Sequence, residues 1–147
     1  MTKLAIRNGA IFLALFLAAH LLVPFGGVAW AAWFLNDSIY PVSLGWVSWA
    51  ALVGWCYYAL VFLTIGLALA VLVRTSNPHW AALAFGALYS IDWFARSHFH
   101  FFETAPAYDY FWVYGEFAVP PVAALLGARL RRRLGTPPIV HAKRGLT

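Results

Sequence analysis

The sequence contains very little charge for its length. Of its 147 residues only 10% are charged, whereas 63% are hydrophobic, and a soluble domain has about a quarter of its residues charged. From Ser38 to Val73 there is no Lys, Arg, Asp, Glu or His, and this run is longer than the roughly 20 residues that cross a hydrocarbon core. The scarcity of charge excludes an ordinary soluble domain and indicates an integral membrane protein.

Cysteine is nearly absent, and several well-known catalytic motifs are missing. Cys56 is the only cysteine, which excludes a disulfide within the chain and a CxxC motif. The sequence has no phosphate-binding glycine loop and no HExxH motif. These absences favour a protein that is not an enzyme, and we predict no cofactor from the sequence.

Basic and acidic residues lie in different parts of the chain. Nine of the ten basic residues lie at the two ends or in one internal gap: Lys3, Arg7, Arg74, Arg129, Arg131, Arg132, Arg133, Lys143 and Arg144. Three of the five acidic residues lie in the other two gaps between hydrophobic stretches: Asp37, Glu103 and Asp109. Because basic flanks stay on the cytoplasmic side, this pattern predicts four membrane spans with both termini in the cytoplasm.

The predicted fold is therefore all-α, a polytopic membrane protein with four transmembrane helices in a bundle. The spans are expected at about 8–34, 42–73, 80–102 and 110–130, within one transmembrane domain over residues 1–134. Residues 135–147 are expected to be a basic, disordered cytoplasmic tail. Short loops and basic flanks are typical of a bacterial inner (plasma) membrane.

The N-terminal stretch has two interpretations. Its basic start followed by an apolar segment resembles a cleaved signal peptide. The apolar stretch resumes through Phe34, which favours an uncleaved first span. We expect Pro24 and the Gly26–Gly27 pair to bend or break this span, because a proline removes one helical hydrogen bond.

His20, Asp92, Arg96 and Glu116 are ionisable residues that fall well inside the predicted spans. At 1.5 Å per helical residue, His20 and Asp92 lie roughly 20 Å and 18 Å above the inner boundary, and Glu116 lies about 10 Å below the outer one. All three therefore fall in the outer half of a core about 30 Å thick. Asp92, Arg96, His100 and Glu103 share one helical face. We predict an intramembrane polar cluster of His20, Asp92, Arg96, His100, Glu103 and Glu116, with Glu116 and Asp92 as candidate catalytic residues.

Prolines sit one turn beyond two of these residues. Pro24 frees the backbone carbonyl of His20, and Pro120 frees that of Glu116. A buried carbonyl without a partner needs water, a side chain or a ligand at membrane depth. This predicts a hydrated pocket that opens toward the outer side.

Each ionisable residue also has a structural interpretation. Asp92 and Arg96 form an ion pair that sets helix register in this reading, and His20 hydrogen-bonds a backbone carbonyl. Glu116 is then protonated against a tyrosine such as Tyr114 or Tyr89. For the set as a whole we favour a functional pocket, because intramembrane ionisable groups are costly and usually have a role.

Metal and haem binding have weaker sequence support. His98 and His100 are ligand types, but residues two apart on a helix diverge by about 200° and do not grip one ion. Haem between His20 and a histidine of the third span is disfavoured, because their depths differ by roughly 12 Å.

Three functions are compatible with these patterns. The first is an accessory or scaffold subunit of a larger membrane assembly, with the bilayer and other membrane subunits, or further copies of this chain, as partners. The second is an oligomeric transporter or proton-relay component that uses Asp92, Arg96 and Glu116. The third is a membrane-embedded enzyme that modifies a lipid or isoprenoid. The net charge of +5 is attributed to anionic lipid and not to nucleic acid, because the basic residues are few and flank the spans.

Overall fold

A computed structural model describes residues 3–35, 44–97 and 107–135. They form four α-helices and no strand, with α1 at Lys3–Leu35, α2 at Leu44–Leu72, α3 at Pro78–Ser97 and α4 at Ala107–Gly135. The all-α prediction is confirmed for these residues, and each helix overlaps one predicted span. Most of the predicted tail, residues 136–147, lies outside the described residues.

Two helix ends differ from the predicted boundaries. α1 begins at Lys3 and α4 continues to Gly135, so both helices run through their flanking basic residues. Arginine and leucine are strong helix formers, and positive charge in the last turn, here Arg132 and Arg133, complements the helix dipole. The basic cluster at the end of the last predicted span is therefore part of α4.

The prolines do not break their helices. Pro24 lies inside α1, and Pro120 and Pro121 lie inside α4. Next to Pro24, the Tyr57 hydroxyl of α2 donates a hydrogen bond to the carbonyl of Leu22. A side chain at Gly26 would overlap this hydroxyl, so the glycine gives the Tyr57 ring room against α1.

Two helices are long and apolar enough to cross a membrane, by length and composition, within the described part of the chain. They are the segments Lys3–Gly27 of α1 and Ala51–Leu72 of α2, and only 11% and 28% of their most apolar windows are buried. The core helix of a soluble protein would be mostly buried. The outward face of α1 is instead lined by large apolar side chains: Leu13, Leu17, Leu21, Leu22 and Phe25.

α4 packs most closely on α2 and α3, and glycines make this possible. A side chain at Gly66 of α2 would overlap the backbone of Ala124, and one at Gly127 of α4 would overlap the Leu63 carbonyl. Gly86 of α3 faces the backbone of Pro121 in the same way. Small residues of this kind let helix backbones approach within van der Waals contact.

Among the described residues, one apolar core joins all four helices. Its buried members are Ala19, Val23, Tyr58, Phe62, Ile65, Leu69, Ala82, Phe85, Tyr89, Ala123, Ala124 and Ala128. α1 contributes only two small side chains to this set, so the core is built mainly by the other three helices.

One end of the packed helices is strongly basic. The Arg7 guanidinium of α1 donates to the carbonyl of Leu72 at 2.9 Å, and the Asn8 amide donates to the carbonyl of Arg74 at 2.9 Å. The start of α1 thus meets the end of α2, close to where α3 begins and α4 ends. We call this the basic end and the opposite end the far end.

Candidate functional site

Three of the predicted cluster residues meet where α1 faces α3. The Nε2 atom of His20 lies 2.6 Å from Oδ2 of Asp92. The Nε and one terminal nitrogen of Arg96 both donate to Oδ1 of Asp92, at 3.1 and 3.0 Å. Asp92 is therefore the centre of a network that we call the polar triad, made of His20, Asp92 and Arg96.

The hydrogen bonds of His20 determine where a proton must sit. Its Nδ1 lies 2.9 Å from the Phe16 carbonyl, and a carbonyl only accepts, so Nδ1 carries a hydrogen. The 2.6 Å contact between Nε2 and the Asp92 carboxyl then needs one further proton, either on Nε2 or on the carboxyl.

The polar triad lies on the surface of the packed helices. The side chains of His20, Asp92 and Arg96 are 19%, 30% and 68% exposed. An apolar groove of about 610 Å³ runs between α1 and α3 and reaches Asp92. Its other lining residues include Phe12, Phe16, Leu88, Ile91 and Ala95. The triad can therefore meet a polar group that approaches from outside, and the groove can accept an apolar chain.

Glu116 occupies a second polar position, on α4. The Tyr58 hydroxyl of α2 donates to Oε1 of Glu116, and the indole nitrogen of Trp93 of α3 donates to Oε2, each at 3.4 Å. These are long hydrogen bonds compared with the usual 2.7–3.0 Å range. The carboxyl thus lies between α2 and α3, as a group that links three helices.

A buried tyrosine lies beside the polar triad and also reaches the Trp93 side of Glu116. The ring of Tyr89 is 4.8 Å from that of His20 and stacks 6.3 Å from Trp93. Tyr89 is completely buried, and its hydroxyl has no hydrogen-bond partner among the described residues. The same is true of the buried hydroxyl of Ser90. Buried hydroxyls are normally paired, so these two are exceptions within the described helices.

Toward the basic end, the interior is closed by apolar packing. Phe62, Phe85 and Leu69 are fully buried. The Phe85 ring packs against Phe12 at 4.9 Å and Phe62 at 6.4 Å. These side chains fill the space between the polar groups and the basic end, and Asp92 is reached from the α1–α3 groove.

The structure brings together only part of the predicted cluster. His20, Asp92 and Arg96 form one network, and Glu116 accepts its hydrogen bonds from Tyr58 and Trp93. His98, His100 and Glu103 lie outside the described residues, so their place in the cluster and a metal site at the two histidines stay predictions. Among the described residues no group of three His, Cys, Asp or Glu side chains could hold a metal ion. Both ring nitrogens of His20 are engaged, Nδ1 by the Phe16 carbonyl and Nε2 by Asp92.

Sequence reasoning missed the partners of Glu116. It proposed Tyr114 or Tyr89, but Tyr114 is exposed and the Tyr89 hydroxyl is without a partner. A signal for Tyr58 does exist, since Tyr58, Phe62, Ile65 and Leu69 follow helical spacing along the buried face of α2. A tyrosine on this buried face of α2 places its hydroxyl in the interior between the helices.

Comparison with known proteins identifies no relative of this chain. The chain matches no family model, no curated protein and no solved structure. Any function assigned to it therefore depends on its own side chains, above all on the polar triad and Glu116.

Proposed function

We propose that this protein is a four-span membrane protein that acts as a subunit of a larger membrane assembly, docking through the polar triad. Both termini face the cytoplasm in this proposal, which the basic end of the packed helices supports because basic flanks stay inside. A bacterial inner membrane suits the short loops and basic flanks.

The observation that carries the proposal is the position of a charged network on an outer surface. Asp92 lies 12 residues beyond Trp80, roughly 18 Å above the inner boundary of a core about 30 Å thick. Its side chain is 30% exposed there. Charged groups at this depth avoid lipid and face a polar partner or water. A neighbouring subunit with hydrogen-bonding groups would satisfy the triad where lipid cannot.

Transport by a single copy has less support. A transport path needs polar groups on both sides of the membrane centre, whereas Phe62, Phe85 and Leu69 fill the interior toward the basic end. A transporter would have to form its path between copies, with the triad at the contact.

An enzyme that modifies a lipid is the second candidate, and the α1–α3 groove favours it. The groove is apolar, about 610 Å³ in volume, and has Asp92 in its wall. It suits an acyl or isoprenoid chain whose polar end reaches His20 and Asp92. This pair of side chains would then act as the general acid or base.

The docking proposal is tested by photo-crosslinking in the native membrane. A photoreactive residue at Ile91, which is exposed on α3 beside the triad, should attach one defined second polypeptide. The same group at Leu60, which is exposed on α2, is the matched control and should attach mainly lipid. Adding Arg96→Gln to the Ile91 probe should reduce the crosslink, because Arg96 is the most exposed member of the triad.

Native mass spectrometry of the gently extracted protein provides the stoichiometry. A second polypeptide in fixed ratio, released by Arg96→Gln and kept in Arg129→Gln, supports a subunit. A lipid retained in place of a polypeptide, with crosslinks from Ile91 to lipid alone, contradicts docking and favours the enzyme.

A further inference from the structure

Arg96 is the member of the polar triad that has donors to offer to another molecule. A guanidinium group carries five N–H donors, and Arg96 directs two of them to Oδ1 of Asp92, at 3.1 and 3.0 Å. Among the described residues Asp92 is the only hydrogen-bond and ion-pair partner of this side chain. Because the side chain is 68% exposed, its other donors are open to a group that approaches from outside.

The polar triad as a whole carries a positive charge. His20 and Asp92 hold one proton between them at their 2.6 Å contact, so the pair is neutral whichever of the two carries that proton. The guanidinium of Arg96 stays protonated in proteins and adds its positive charge to this neutral pair. The triad is therefore complementary to an anion.

The depth of the guanidinium decides which kind of anion can reach it. Arg96 folds back along α3 onto Asp92, which lies 12 residues beyond Trp80. In the proposed four-span arrangement this depth is about 12 Å below the outer boundary of a core about 30 Å thick. Lipid phosphates lie outside the hydrocarbon core, and an arginine near the boundary normally extends toward them. Since Asp92 holds the guanidinium deeper than this, the anion that suits it is a carboxylate on another membrane helix.

We infer that the partner subunit contributes an aspartate or glutamate side chain of a membrane helix to the polar triad, where it pairs with Arg96. This inference rests on the docking proposed above and names the chemistry of the partner. A carboxylate and a guanidinium form two parallel charge-assisted hydrogen bonds, and the planar, weakly hydrated guanidinium suits ion pairs at interfaces. Pairing also removes the cost that either charge has when it faces lipid.

The α1–α3 groove gives the partner helix a surface to pack on. Its apolar wall on α3 includes Leu88, Ile91 and Ala95, and α1 contributes Gly9. A side chain at Gly9 would meet nothing within 4 Å, so another helix can come close to α1 there. A helix that lies along the groove brings its carboxylate to Arg96 when the acid is roughly eight residues from the outer end of its span, which is the same depth of about 12 Å.

The test uses the full chain in its native membrane, with a photoreactive residue at Ile91. Mass spectrometry of the crosslinked peptide should identify an apolar segment of the partner that contains an Asp or Glu. Arg96→Lys keeps the charge and should retain most of the crosslink. Arg96→Gln keeps donors without the charge and should lower the yield about tenfold or more, because it leaves the partner's carboxylate without a counter-charge. Arg129→Gln, at an exposed arginine of α4, is the control and should change nothing.

A double-mutant cycle then tests the pair itself. Changing the identified acid to its amide should weaken crosslinking as much as Arg96→Gln does, and the two changes together should cost no more than either alone. Crosslinks to lipid alone would contradict docking and this inference with it. A defined polypeptide whose crosslinked segment has no acid, or losses that multiply in the cycle, would leave docking standing and overturn the inference. A crosslinked peptide from a second copy of this chain is judged by the same two criteria.

Discussion

α1 and α4 are attached to the rest of the protein in different ways. α4 meets α2 and α3 through glycines, with the backbone at Gly66 against Ala124 and that at Gly86 against Pro121. α1 is attached by individual polar bonds and ring contacts. The difference is between an interface made by backbone approach and one made by a few side chains.

The contacts of α1 are spread along its length. At the basic end Arg7 donates to the Leu72 carbonyl, and at the far end the Trp30 indole donates to the Val53 carbonyl at 2.9 Å. Between them lie the His20–Asp92 contact and the Tyr57 hydroxyl bond to α1. Each of these bonds depends on one side chain that a single substitution removes.

In the proposed membrane setting this difference matters, because apolar helices that are surrounded by lipid gain little hydrophobic free energy by packing against one another. Membrane helices associate through close packing and interhelical hydrogen bonds. Close backbone packing is found among α2, α3 and α4. We therefore expect these three helices to be the more stable part of the protein. α1 is held mainly by single hydrogen bonds and ring contacts, so we expect its position to be the easiest to disturb by substitution.

The largest predicted effect comes from blocking the contact between α2 and α4. Gly66→Leu places a side chain on the Ala124 backbone, which cannot move without separating the helices. We expect a loss of about 3 kcal/mol or more in the free energy of unfolding, measured by denaturation in mixed micelles with circular dichroism.

Gly9 provides the matched control for this substitution. A side chain there meets nothing within 4 Å, so Gly9→Leu should leave the unfolding free energy nearly unchanged. A similar loss in both variants would show that leucine at a helical glycine is harmful in itself, and that the α2–α4 contact is not the cause.

A smaller effect is expected where α1 meets α3. In a double-mutant cycle of His20→Ala and Asp92→Ala we expect a coupling energy of about 1.5 kcal/mol, near the upper end for membrane hydrogen bonds. A parallel cycle of Asp92→Ala with Arg74→Ala, at the basic end, should be additive. Additivity in the first cycle would mean that the 2.6 Å contact contributes nothing to holding α1.

The number and approximate position of the helices could be predicted from the sequence, because each helix of the described residues coincides with one long apolar run. The Asp92–Arg96 pair could also be predicted, since residues four apart meet on any helix. The approach of His20 to Asp92 was suggested by equal depth alone. The depth of a residue along its helix does not determine how that helix is rotated about its axis. The contact between His20 and Asp92 could therefore be found only in the structure.

The pairing of Glu116 could not be predicted for the same reason. Its partners Tyr58 and Trp93 come from two other helices, and their meeting depends on the glycine contacts that set the helix separation. Gly26 shows the same limit: sequence reasoning expected it to bend or break α1, whereas it makes room for Tyr57. Gly26 marks a close approach between helices whereas Gly9 has nothing within 4 Å, and the sequence alone does not distinguish the two cases.

The smallest predicted effect tests whether each hydrogen bond that holds α1 contributes to stability independently of the others. Tyr57→Phe removes only the hydroxyl that donates to the Leu22 carbonyl, and we expect a loss of about 0.6 kcal/mol in the free energy of unfolding. Hydrogen exchange should become faster at the α1 amides near Pro24, while the α2–α4 contact keeps its protection. Tyr114→Phe, at an exposed tyrosine, is the control and should change neither quantity. Faster exchange throughout α4 as well would show that α1 and the glycine-packed helices open as one unit, and the proposed division between them would fail.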